Sequence, residues 1–149
     1  MGWLNGIFSE KIHKTDINMN SVKKITDEFL DYLGKRDLNK LINLFSEYIE
    51  WEIPGNVEKA DWLGKRNSKN EIKKNFKMLW CATEPLSVRI NKIFIEDDEA
   101  VITGAFSTKM LKTNKRVDSI FFIHMMIKDQ KIIKYTLLED SYAVSEALI

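Results

Sequence analysis

Residues 117–140 read VDSIFFIHMMIKDQKIIKYTLLED, two apolar runs separated by a short polar segment, residues 128–131. Both runs are rich in β-branched and aromatic residues, which are enriched in strands, and both exceed the length of an average strand. Successive strand residues point to opposite sides, so the first run presents apolar side chains on both of its faces. The stretch therefore predicts a long hairpin that must be covered on both sides.

The chain before this hairpin begins with helical patterns. Apolar residues recur at helical spacing over residues 22–33, and Asn20 or Ser21 can cap that helix. Asp37 is placed to cap a second helix after a very short link. The segment Ser68-Lys69-Asn70-Glu71 is a capping box, with Ser at the cap and Glu three residues later, and it predicts a third helix.

Strand patterns occupy most of the remaining sequence. Residues 48–53 have strand character and end at Pro54-Gly55, and a short strand is expected at residues 61–63. After Pro85 the pattern is entirely β, with strands at residues 86–95 and 100–111 and an irregularity near Asn91-Lys92 that indicates a bulge. Helices first and long antiparallel strands second predict an α+β fold.

Composition excludes several classes of protein. A formal net charge of +1, from 23 basic and 22 acidic side chains, gives no electrostatic basis for binding nucleic acid or an anionic membrane. The single cysteine, Cys81, excludes an internal disulfide and suits a reducing cytoplasm. Two histidines are too few for a multi-histidine metal site, and no apolar run could span a membrane. We therefore expect a cytoplasmic protein with no metal, no cofactor and no membrane span.

Three segments carry a resemblance to a known family: WEIPG at residues 51–55, DWLGKR at 61–66, and KIIKYTLLEDSYAVSEAL at 131–148. They resemble the nuclear transport factor 2-like superfamily, and within it the SnoaL-like branch of polyketide cyclases and ketosteroid isomerase relatives. The resemblance implies a cone in which three N-terminal helices pack on a curved, mainly antiparallel sheet. It divides the chain into an N-terminal extension, residues 1–18, and a single SnoaL-like domain, residues 19–149.

The N-terminal extension has an amphipathic pattern of its own. Apolar residues occur at helical spacing at Trp3, Leu4, Ile7, Phe8 and Ile12. One reading is an amphipathic turn that packs on the domain; the other is a weak anchor for a membrane or a partner.

The resemblance implies a catalytic acid on the last strand. SnoaL-like cyclases carry an aspartate there as general acid and base, and that position falls on Asp140. The alternative is that Asp140 caps the short C-terminal helix, residues 141–148. We expect apolar neighbours to raise the pKa of Asp140. Glu139 should point to the opposite face as a solvated or interface charge.

Two other branches of the superfamily fit less well. The tyrosine and the penultimate-strand acid of ketosteroid isomerases fall on Phe29 and Ile123, which disfavours steroid isomerisation. The first-strand acid falls on Glu52 or Ile53, and one residue of slip decides which of them faces the pocket. Limonene epoxide hydrolases need an Asp and an Arg on an earlier strand, where this chain has Ser107 and Ala105.

The resemblance implies a pocket for an apolar small molecule, lined by large side chains that otherwise fill a core. We expect catalytic roles for Asp140 and Glu52. The expected substrate-binding residues are Phe29, Tyr32, Trp51, Trp62, Phe76, Trp80, Phe106, Ile123, Met125 and Leu138. The predicted function is a cofactor-free enzyme of the cyclase, isomerase or hydrolase type, acting by acid/base catalysis on an apolar, cyclic or polyketide-like molecule. The alternative is a non-catalytic binding or protein-interaction module on the same fold.

The second apolar face of the hairpin predicts a symmetric homodimer through the sheets. The residues expected on that face are Ile120, Phe122, His124 and Met126, with Ile133, Tyr135 and Leu137.

Overall fold

The computed structural model describes the backbone of residues 2–149 and the side chains of residues 18–149. Over this range the chain forms four helices and one six-stranded sheet, which confirms the α+β class. The helices are α1 (Gly2–Lys35), α2 (Leu38–Asn43), α3 (Lys69–Ala82) and α4 (Ser141–Ala147). The strands are β1 (Phe45–Ile53), β2 (Gly64–Ser68), β3 (Thr83–Glu96), β4 (Glu99–Met110), β5 (Arg116–Lys128) and β6 (Lys131–Glu139).

The long hairpin predicted from residues 117–140 is confirmed as β5 and β6, and it lies at the centre of the sheet. The strand order is β2-β1-β6-β5-β4-β3, in which β1 pairs with β6 in parallel and the other neighbours are antiparallel. Asp129 and Gln130 make the connecting turn with φ angles of 50° and 61°. Neither is glycine, so both occupy a left-handed conformation that costs free energy for an L side chain.

Two of the register shifts in the sheet concern the predicted bulge and the central hairpin. The pairing of β3 with β4 shifts between Ile90 and Lys92, which confirms the predicted bulge. A second shift lies on β6, where Ile127 pairs with Ile132 but Met126 pairs with Lys134. The extra residue at this bulge resets the alternation of β6.

An aromatic cluster holds the helices on one half of the inner face. Trp51 of β1 and Tyr135 of β6 stack with ring centroids 4.1 Å apart and planes inclined by 15°. Phe76 of α3 meets Trp51 edge-on at 5.4 Å, and Phe29 of α1 meets Tyr135 at 5.8 Å. These buried aromatic rings join both helices to the central strands and contribute much of the apolar area that stabilises the fold.

For α1, α2 and α3, two of the three predicted helix starts agree with the structure. Asp37 accepts a hydrogen bond from the Lys40 amide, and Ser68 accepts one from the Glu71 amide, so both predicted caps are confirmed. The predicted start at Asn20 or Ser21 is wrong, because α1 continues through both from Gly2. The sequence from residue 7 to residue 33 has no glycine or proline, and a helix in progress tolerates weak helix formers.

Three smaller points complete the fold. The strand expected at residues 61–63 lies slightly later, as β2. The two readings of the amphipathic extension depend on side chains that lie outside the described residues. No helix in the described part of the chain is long and apolar enough to cross a membrane.

Candidate functional site

A cavity of about 410 Å³ lies beside the aromatic cluster. Its walls come from the C-terminal ends of α1 and α3, the inner faces of the strands from β3 to β6, and Val144 of α4. Most of the lining is apolar, and the volume lies in the range of small-molecule sites. A larger groove of about 780 Å³ lies on the outer side of β1 and β2, but it is more open, and charged side chains such as Glu50, Lys65 and Arg66 line it. The more enclosed, apolar cavity is the better candidate for a ligand.

The shape of the cavity depends on Gly104 in β4. A Cβ atom at this position would lie 2.3 Å from the Arg89 carbonyl oxygen and 2.6 Å from the Phe121 ring. The missing side chain therefore lets the Phe121 ring lie across β4 and form part of the wall. At the open side, Leu86 and Val88 of the edge strand β3 line the cavity and are 46 % and 66 % exposed.

Glu139, the last residue of β6, brings a carboxyl group to this apolar wall. It pairs with Phe121 across the sheet, on the face that also carries Leu137 and Ile123. Burial raises the pKa of the Glu139 carboxyl from 4.5 to about 7, and the neighbouring negative charge of Asp140 acts in the same direction. A carboxyl with a pKa near neutrality in a cavity is typical of a general acid or base.

Asp140 lies at the N-terminus of α4, where its side chain is exposed. Its Oδ1 accepts a hydrogen bond from the Ala143 amide at 2.9 Å, and the residue does not line the cavity. The capping role is therefore confirmed, and the expectation that Glu139 is a solvated or interface charge is wrong. The bulge at Ile133 is the physical reason, because after it Tyr135, Leu137 and Glu139 share the inner face.

The open question on the first strand is answered by β1. Ile53 is buried and lines the cavity. Glu52 is half-buried on the other face, where it pairs with Lys65 of β2 and borders the outer groove. Its carboxyl group is thus separated from the cavity by the sheet.

Four of the ten expected binding residues line the cavity: Trp62, Trp80, Phe106 and Ile123. The structure does not bring the other six to it. Phe29, Trp51, Phe76 and Met125 are buried in the core, because large apolar side chains fill the space between helices and sheet. Tyr32 is half-buried beside Lys40, and Leu138 is 51 % exposed on the outer face, as its position between Leu137 and Glu139 requires.

Arg36 is a cavity residue that the sequence pattern did not indicate. Its φ angle is 52°, and its guanidinium lies 5.7 Å from the centre of the Trp80 ring. Nη1 donates to the carbonyl oxygens of Trp80 at 3.0 Å and Thr83 at 3.3 Å, so the side chain joins the end of α1 to the end of α3. Burial lowers the pKa of the Arg36 guanidinium from its usual value.

Two hydroxyl groups in the wall are also engaged. Thr83 donates to the Leu79 carbonyl oxygen at 2.8 Å, and Thr108 donates to the Glu84 carbonyl oxygen at 2.9 Å. For Glu139, by contrast, no hydrogen bond with another described residue offsets the burial of its carboxyl. A polar atom of a ligand would therefore find in Glu139 a partner whose hydrogen-bonding capacity is free within the described part of the chain.

The outer face of the sheet carries an exposed apolar patch formed by Ile120, Phe122 and Leu138. His124 lies on the same face, with Nε2 2.9 Å from Oε1 of Glu99. The set expected on this face needs a correction on β6. Two of its members, Tyr135 and Leu137, face inward because of the bulge at Ile133.

Comparison with known proteins agrees with this architecture. The sequence profile of the SnoaL-like domain matches residues 26–135. No curated protein sequence matches the chain significantly. Among solved structures, an NTF2-like protein from Burkholderia xenovorans LB400 is similar with a TM-score of 0.79 and 16 % identity, covering 88 % of this chain and 98 % of that one.

Two further structures have names that describe a ligand or an activity. TerC, co-crystallised with polyporic acid, is similar with a TM-score of 0.75 and 15 % identity, covering 86 % of this chain and 98 % of its own. An epoxide hydrolase from M. tuberculosis, described as LEH-like, has a TM-score of 0.68 and 12 % identity, covering 87 % of this chain and 90 % of its own. At these identities the likeness shows the fold alone.

Proposed function

This chain belongs to the SnoaL-like domain family, and from that premise we propose that it binds an apolar, cyclic or polyketide-like molecule and moves a proton on it with Glu139. The observation that carries the proposal is the Glu139 carboxyl in an apolar cavity wall, with its pKa raised by burial to about 7. At neutral pH such a group is present in both protonation states. It can therefore remove a proton in one step and return it in the next.

The chemistry would be that of a cyclase, isomerase or hydrolase of the acid/base type. Ionised Glu139 takes a proton from a carbon next to a carbonyl group, and the resulting acid delivers it to another atom of the same molecule. Trp62, Trp80 and Phe106 supply flat apolar walls for a ring system, and they exclude water from the charge that develops. The co-crystal of TerC with polyporic acid supports a small-molecule ligand by analogy within the fold.

Asp140 and Glu52, the catalytic residues expected from the sequence, are the alternatives to Glu139. Asp140 is exposed at its cap, and Glu52 lies on the other side of the sheet. Neither residue lines the cavity. We propose that both are dispensable for proton transfer itself.

Hydrogen exchange on small carbon acids tests the proposal without knowledge of the natural substrate. Cyclic ketones and cyclic enones are incubated in D₂O, and incorporation of deuterium next to the carbonyl is followed by NMR. The wild-type protein is expected to accelerate exchange in at least one compound. Glu139→Gln, which keeps the shape of the side chain, should lose about a hundredfold or more of that acceleration. Glu52→Gln is the matched control and should retain it.

Two outcomes would contradict the proposal. Full acceleration in Glu139→Gln would show that another group transfers the proton, and loss in Asp140→Asn or Glu52→Gln would identify that group. Binding of the same compounds to the wild type without any exchange would favour the alternative, a non-catalytic binding module.

We also propose that the protein is a cytoplasmic homodimer assembled through the outer face of the sheet. The support is the exposed apolar patch of Ile120, Phe122 and Leu138, which are 65 %, 46 % and 51 % exposed. Apolar patches of this kind mark protein interfaces, and symmetric dimers are the most common assembly.

A further inference from the structure

The backbone that carries Glu139 is held by an unusual contact at the end of β6. The pairing of β5 with β6 ends at Phe121 and Glu139. The next amide along the chain, that of Asp140, donates to the Ser119 Oγ at 2.8 Å. The Ser119 hydroxyl donates in turn to the Ile120 carbonyl oxygen at 2.6 Å. The Ser119 side-chain oxygen thus accepts the hydrogen bond of the Asp140 amide at the point where the chain leaves the sheet and enters α4.

Two hydrogen bonds from amides of α4 also hold Asp140 in place. Its Oδ1 accepts from the Ala143 amide at 2.9 Å, and its carbonyl oxygen accepts from the Val144 amide at 3.1 Å. The carboxylate therefore cannot rotate freely, although it is exposed. Its negative charge has a defined place one residue from Glu139.

We propose that Ser119 and Asp140 are positioning residues for Glu139: the Ser119 hydroxyl holds the backbone at the cavity wall, and the Asp140 carboxylate places a fixed negative charge beside the buried acid. The inference rests on the proposed function for the role of Glu139. The positioning itself can be measured without any substrate.

Among the described groups near Glu139, Asp140 is the one that places a negative charge beside its carboxyl. From the end of α1, the Arg36 guanidinium is engaged by the carbonyl oxygens of Trp80 and Thr83. From β6 itself comes the Tyr135 phenol, whose pKa is raised by burial, so that it stays neutral. The cavity residues contributed by α3, β3, β4, β5 and α4 are, among the described side chains, not titratable. A like charge beside a carboxyl favours its protonated form, so Asp140 keeps the proton on Glu139 up to a higher pH.

Carbon-detected NMR titration of the Glu139 carboxyl tests the charge. In Asp140→Asn the amide oxygen still caps α4, because Asn caps a helix about as well as Asp. The titration midpoint of Glu139 should then move to lower pH than in the wild type, and the difference should shrink at high salt because the charge is exposed. Glu146→Gln removes an exposed charge from the same helix and should leave the midpoint unchanged.

Amide hydrogen exchange tests the hydroxyl. In Ser119→Ala the Asp140 amide loses its acceptor. Its protection against hydrogen exchange should then fall by about tenfold, the effect expected from the loss of one hydrogen bond. Ser119→Thr keeps a hydroxyl and should restore the protection, which a merely structural loss of packing would not predict.

The proposal is overturned if Asp140→Asn titrates Glu139 at the wild-type midpoint, or if the Asp140 amide is equally protected in Ser119→Ala. Failure of the proposed function would look different. The wild-type protein would then show no exchange on carbon acids, while these titrations would still respond to the substitutions as expected.

Discussion

Replacing Glu139 by glutamine should make the protein more stable at high pH. Because the pKa of the Glu139 carboxyl is raised to about 7 in the folded protein and is 4.5 ordinarily, the folded state holds a proton that the unfolded state has lost. The wild type therefore loses stability as the pH rises from 4.5 through 7. Glutamine cannot ionise, so Glu139→Gln avoids this loss.

The size of this stability difference follows from the pKa shift of Glu139. At about 1.36 kcal/mol per pKa unit, the full effect is at most about 3 kcal/mol. Glu139 is partly exposed, and solvent screening reduces the effect, so we expect a gain of about 2 kcal/mol for Glu139→Gln at pH values well above 7. Below 4.5 the two proteins should be equally stable, since the acid is then protonated in both states.

Urea unfolding followed by tryptophan fluorescence measures this difference at a series of pH values. The difference between variant and wild type is the relevant quantity, because the contributions of all other groups cancel in it. Glu146→Gln, on the exposed face of α4, is the control and should show no such trend. A Glu139→Gln protein no more stable than the wild type at high pH would refute the argument that burial raises this pKa.

Three further substitutions test other parts of the account. Gly104→Ala should destabilise the protein by about 1–3 kcal/mol in urea unfolding, because its Cβ would meet the Arg89 carbonyl oxygen and the Phe121 ring; an unchanged midpoint would contradict this packing. Gln130→Gly should stabilise it by about 1 kcal/mol by relieving the positive φ of 61°, and a lower melting temperature would count against a strained turn. Ile120→Lys should turn the proposed dimer into a monomer in sedimentation velocity, and a wild type that is already monomeric would rule out the dimer.

Local signals in the sequence were enough for most of the fold. The hairpin of β5 and β6 is visible in its apolar runs and polar turn, and the caps at Asp37 and Ser68 are short patterns with a direct hydrogen-bonding meaning. The sequence predicts an α1 helix that is too short, because Asn20 and Ser21 can cap a helix but need not do so. Such a residue is a cap only if the chain before it is not helical.

The site was harder to predict, because it depends on the faces of strands. The sequence pattern predicts the wrong face for the candidate acid Glu139, because one bulge at Ile133 reverses the alternation of β6. Residue type does not separate a core from a cavity either: Trp51 and Trp80 are chemically alike, yet the first is in the core and the second lines the cavity. These distinctions arise from long-range packing.

The central claim is that Glu139 transfers protons at the cavity wall, and the pH dependence of carbon-acid exchange tests it most directly. With a compound whose exchange the wild type accelerates, the rate should rise with pH as Glu139 ionises, with a midpoint near 7, and then level off. Glu139→Gln should remove that rise. A midpoint near 4.5, or a profile that Glu139→Gln leaves unchanged, would contradict the claim.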